Sequence, residues 1–127
     1  MILDQIAADT RLRVEAKKKE ISLEEVKRNA QSMEKNTGFP FEMALRKPDL
    51  SFICEVKKAS PSKGLIAPDF PYLDIAKEYK AAGASAISCL TEPFYFQGSD
   101  QYLWEIASEV DIPVLRKDFV IDDYMIL

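Results

Sequence analysis

From residue 51 onward, apolar runs rich in β-branched residues alternate with helical patterns, and this rhythm constrains the fold more than any other feature of the chain. Residues 52–57, 84–90 and 114–117 read as strands. Between the first two, Leu73, Ala76, Tyr79 and Lys80 fall at helical spacing, and Gly83 stands just past the helix end. Between the second and third, Ser99 reads as an N-cap, with Leu103, Ile106 and Ala107 turned inward. Buried strands separated by helices make a parallel sheet with right-handed crossovers. The spacing fits either a (β/α) barrel or a doubly wound sheet. No Gly-x-Gly-x-x-Gly turn follows the first strand, which counts against a Rossmann dinucleotide site.

Residues 1–50 read differently, as a helical extension ahead of the α/β part at 51–127. Leu3, Ile6, Thr10 and Val14 mark an amphipathic helix over 2–20, and Lys17, Lys18 and Lys19 suit the dipole at its C-terminal end. Ser22 and Glu25 form a capping box, and Leu23, Val26, Ala30 and Met33 give the next helix an apolar face. A short helical turn is expected over 41–45, and a further helix near Asp122 or Asp123. The run stops at Leu127, where that helix should begin, so three strands are expected to be the first part of a larger domain.

Composition removes several function classes. The net charge is −4, which gives no general affinity for nucleic acid or anionic membrane. No basic, apolar leader precedes the first helix, so a cytoplasmic protein is the expectation. The chain has no histidine, so acid–base chemistry falls to Lys, Glu, Asp or Tyr. Cys54 and Cys89 sit inside strands and read as reduced core thiols.

In the first strand Glu55 and Lys57 lie two apart and share a face with Ile53, while Phe52, Cys54 and Val56 take the other. Parallel α/β folds bind ligands beyond the carboxyl ends of their strands. The three ends offer Glu55, Lys57 and Ser60; Leu90, Thr91, Glu92 and the aromatic loop to Phe96; and Lys117, with Phe119 just beyond. A lysine on an inward face needs a partner or a bound anion, and Glu55 is the candidate partner. Each feature also has a plainer reading: a buried structural ion pair, a tight turn at Ser60, or an apolar plug at residues 94–96. Arg116 and Lys58 point to the outer face by parity, and Asp118 is placed to cap or orient Lys117.

The run Cys-Glu-Val-Lys-Lys-Ala-Ser-Pro-Ser-Lys-Gly at 54–64 resembles the first-strand signature of the indole-3-glycerol-phosphate synthase family. Ile87-Ser-Cys-Leu-Thr-Glu92, Tyr95-Phe-Gln-Gly-Ser99 and Ile112-Pro-Val-Leu-Arg-Lys-Asp-Phe119 continue the resemblance in order. It implies a TIM (β/α)8 barrel, of which this chain holds the N-terminal helices and strands one to three. It implies conversion of 1-(2-carboxyphenylamino)-1-deoxyribulose 5-phosphate to indole-3-glycerol phosphate, carbon dioxide and water, with no metal or organic cofactor.

By the same resemblance Lys117 is the general acid, Lys57 holds anionic substrate groups, and Glu55 orients the two lysines. Ser60 contacts substrate, while Leu90, Phe96 and Phe119 wall the anthranilate ring. The family's second catalytic glutamate and its phosphate loops lie on later strands, so residues 1–127 alone are expected to be inactive. Another phosphate-binding barrel enzyme, such as a sugar-phosphate isomerase, is the alternative. A non-catalytic segment that self-associates or pairs with a C-terminal half is the third reading. No nucleic-acid or membrane partner is expected.

Overall fold

The computed structural model describes residues 1–127. The chain forms two compact units, residues 1–36 with 119–127 and residues 37–118. The first of these units groups the last residues with the N-terminal helices.

In the first unit, helix α1 spans Ile2–Glu20 and buries Ile6, Thr10 and Val14, each four residues from the last. Leu3 stays exposed. The buried Thr10 hydroxyl donates to the Ile6 carbonyl at 2.7 Å, so its burial leaves no unmet donor. Helix α2, Leu23–Gln31, is capped by Ser22, whose Oγ accepts the Glu25 N–H at 3.2 Å. It ends before Met33 and buries no residue. The helix expected near residue 122 is one 3-10 turn, Asp123–Met125, capped by Asp122. Asp122 also pairs with Lys18 at 2.8 Å, and the Tyr124 hydroxyl donates to the Ile21 carbonyl at 2.8 Å. These bonds give one member of the lysine run a structural role.

The second unit carries helix α3, Pro40–Leu45, and a sheet of strand β1 (Ile53–Val56), strand β4 (Ala86–Leu90) and strand β5 (Val114–Lys117). All pairing in this sheet is parallel, in the order β1-β4-β5. Helix α4, Tyr72–Ala81, joins β1 to β4, and helix α5, Asp100–Glu109, joins β4 to β5. Gly83 follows α4 with φ +99°, a left-handed conformation that favours glycine. Ser99 caps α5 by accepting the Gln101 N–H at 3.1 Å.

One face of the sheet packs on α4 and α5. Val56, Ile87 and Cys89 meet Ala76, Ile106 and Val110 there, with Leu73, Tyr79, Tyr102, Leu103 and Val114 around them. Burying each large aliphatic contributes about 1.5–3 kcal/mol. Burial also pushes the Cys89 thiol up to about 11, so it stays protonated and inert at neutral pH. Two residues expected in this core lie outside it. Ala107 is exposed because the inward stripe of α5 runs through Leu103, Ile106 and Val110. Phe52 precedes β1 on an edge strand, of which only Val56 is fully packed, and Phe52 is exposed.

The segment after β1 holds a small antiparallel hairpin. Strand β2 (Ala59–Ser60) pairs with strand β3 (Gly64–Leu65). Two-residue strands are too short to show an alternating pattern. Gly64, at φ +63°, supplies the turn conformation that other residues adopt at a cost.

Candidate active site

Register fixes which side chains share the second face of the sheet. Glu55 stands level with Ser88, and Ser88 with Leu115; one step further along, Leu90 stands level with Lys117. Side chains at one level of a parallel sheet point the same way. The face turned away from α4 and α5 therefore gathers Glu55, Ser88, Leu90 and Lys117, with Lys57 two residues past Glu55.

The three charged groups meet. Lys117 Nζ donates to Glu55 Oε2 at 2.8 Å, and Lys57 Nζ lies 3.1 Å from Glu55 Oε1. One carboxylate thus carries one ammonium on each oxygen. The Ser88 hydroxyl adds a third bond, to Oε2 at 3.3 Å. The Tyr79 hydroxyl donates to the Glu55 carbonyl at 2.9 Å and ties the strand to α4. Burial raises the Glu55 pKa, but the bonds from Lys117 and Lys57 more than offset it and hold the carboxyl below its ordinary value. Two ammonium groups around one carboxylate leave a net positive charge, which suits an anion. The Lys117 side chain is 50% exposed, so its charge is hydrated as well as paired.

The remaining predicted residues are placed as follows. Ser60 is buried, and its Oγ accepts the Lys63 N–H at 3.1 Å, bracing the hairpin turn. Leu90 is buried at the end of β4. Phe96 is half-buried in the loop that follows. Phe119, half-buried, belongs to the other compact unit.

The Asp118 carboxylate is engaged on the outer face of the sheet. It accepts the Thr91 hydroxyl at 2.7 Å and lies 3.8 Å from Arg116, whose guanidinium also pairs with Asp100 at 3.0 Å. The reason is parity: Asp118 and Arg116 lie on the opposite face from Lys117. Thr91 N–H donates to the Lys117 carbonyl at 3.0 Å, so this network holds the lysine through its backbone.

Two contributors escaped the sequence reading. Ser88 reads as a small strand residue until register sets it beside Glu55. Glu92 reads as one more polar group at a strand end, yet it is 1% exposed and its carboxylate accepts the backbone N–H groups of Phe94, Tyr95 and Phe96 at 2.7–2.9 Å. An acid followed by Pro93 is the only local hint.

Fold and cluster together define a class: a parallel α/β protein that presents a cationic, carboxylate-paired site at its strand carboxyl ends. The family model described as indole-3-glycerol phosphate synthase matches residues 3–127. The protein of that name from Ruminiclostridium cellulolyticum is 60% identical over 126 residues, covering 99% of this chain and 48% of its own length. Those from Endomicrobium trichonymphae and Lacticaseibacillus casei are 57% and 52% identical, over 99% of this chain and 49% and 48% of their own lengths. The chain belongs to the indole-3-glycerol phosphate synthase family. It spans about half the length of the curated relatives it matches. The family fold is a TIM barrel, and β1, β4 and β5 are the parallel strands of that barrel in this chain. No helix is long and apolar enough to cross a membrane.

Proposed function

We propose that Glu55, Lys57 and Lys117 form the acid side of an indole-3-glycerol-phosphate synthase, a cytoplasmic carboxy-lyase of tryptophan biosynthesis. The observation that carries this reading is the Glu55 carboxylate held between Lys117 at 2.8 Å and Lys57 at 3.1 Å. The substrate is 1-(2-carboxyphenylamino)-1-deoxyribulose 5-phosphate. Lys57 holds its anionic groups, and Lys117 gives a proton to the ketone oxygen. As that proton moves, the aryl carbon bearing the carboxylate attacks the ketone carbon, and the new carbon–carbon bond closes the ring. The carboxylate then leaves as carbon dioxide, and its bonding pair restores the aromatic ring. Loss of the new hydroxyl as water, with a ring proton, completes the indole.

Glu55 supports the first step by accepting a hydrogen bond from Lys117 and fixing where its ammonium points. Ser60 contacts the substrate, and Leu90, Phe96 and Phe119 wall its aryl ring. Residues 1–50 form a helical extension ahead of the barrel. The later strands supply the base for dehydration and the phosphate site, so residues 1–127 alone lack both. A fluorescence assay for indole-3-glycerol phosphate tests this directly. The full-length protein forms product and residues 1–127 alone do not. A full-length protein without turnover would overturn the assignment, and product from 1–127 alone would overturn the division of labour between strands.

A further inference from the structure

The loop between β4 and α5 is held by one side chain. Glu92 Oε1 accepts the Phe94 N–H at 2.8 Å, and Oε2 accepts those of Tyr95 at 2.7 Å and Phe96 at 2.9 Å. The Glu92 carbonyl accepts the Gly98 N–H at 2.8 Å and closes the turn. Gly98 then lies so close to the end of β4 that a Cβ there would stand 2.2 Å from the Leu90 carbonyl oxygen. Leu90 is level with Lys117, so the closed turn sits at the strand end that carries the acid.

Burial of Phe94 does not account for this conformation. Phe94 is 64% exposed, and Gln97 takes a left-handed φ of 50°, unfavourable for a residue with a Cβ. Three successive N–H donors on one buried carboxylate do account for it, because charge-assisted bonds are the strong ones and an unpaired buried carboxylate is costly. The third donor is the backbone of Phe96. We infer that Glu92 is a positioning residue: it fixes the loop backbone so that the Phe96 ring stands as a wall for the aryl part of the substrate. This rests on the substrate proposed above, and nothing in it requires Glu92 to touch that substrate.

The test is a double-mutant cycle on the full-length protein, with Glu92→Gln, Phe96→Leu and the pair, read as kcat and KM. A carboxamide offers one acceptor oxygen where the carboxylate offers two, so E92Q frees the loop. Each single variant raises KM about tenfold with a smaller change in kcat, and the pair raises it no further, because Glu92 acts through the ring. A residue needed only for folding would give additive effects. Additivity, or a fall in kcat at unchanged KM, would overturn the inference and leave the lysine site standing. A wild-type protein without turnover would overturn the lysine site and this inference with it. Should E92Q fold poorly, amide hydrogen exchange in the unmutated protein decides. The Phe94, Tyr95 and Phe96 amides are then protected like those of β4, and fast exchange at all three overturns the inference.

Discussion

Glu55 is where the chain concentrates its electrostatics. Its carboxyl is drawn below its ordinary value because two ammonium groups outweigh the effect of burial. A lowered folded-state pKa means that the ionised form contributes stability above the ordinary carboxylate pKa. That contribution is lost as pH falls through the lowered value. Glu55→Gln should therefore lower the melting temperature at neutral pH, with the deficit shrinking as pH falls through the lowered Glu55 value and vanishing below it, where both proteins lack the charge. Thermal melts across that range check it, and an equal deficit at both ends would contradict it. The Glu55–Lys57 pair was legible in sequence because strand parity alone puts both on one face. Ser88 and the Lys117 contact were not fixed by parity, because which strand lies beside which, and in what register, is a property of the assembled sheet.

At the scale of elements, the β4–α5 turn shows how local rules and tertiary contacts divide the work. Ser99 announces the start of α5, and Pro93 and Gly98 announce a loop. What the loop does with its backbone donors depends on a buried carboxylate whose partners are two to four residues away. Gly98 is a sharp probe of this seat. Its missing Cβ leaves room for the Leu90 carbonyl, so Gly98→Ala must push backbone against backbone. Overpacking of that kind costs about 1–3 kcal/mol, and more where nothing can yield. Chemical denaturation should show a loss in that range, and a neutral substitution would mean the turn is looser than described. The β2–β3 hairpin was illegible for a different reason: two-residue strands leave no period to read. Asp118 was matched in sequence to its neighbour Lys117, and it bears on that residue through Thr91, which with Arg116 lies on the outward side.

For the whole molecule, the sheet divides its two faces between apolar packing and a cluster of paired charges. One face buries Val56, Ile87 and Cys89 against the helices, and the other carries Glu55, Lys57 and Lys117. The alternation of strands and helices was enough to expect a parallel sheet. Barrel and open sheet were separated only by family. The chain matches about half the length of its relatives, and the groups proposed for the acid step all lie within it. The central claim is that Lys117 delivers the proton. The most direct measurement is kcat for the carboxyphenylamino-deoxyribulose phosphate in full-length Lys117→Ala beside the unmutated protein. General-acid catalysis of this kind is worth about 10²–10⁴-fold, so the variant should lose at least about a hundredfold in kcat while remaining folded. A kcat within a few-fold of the unmutated protein would contradict the account.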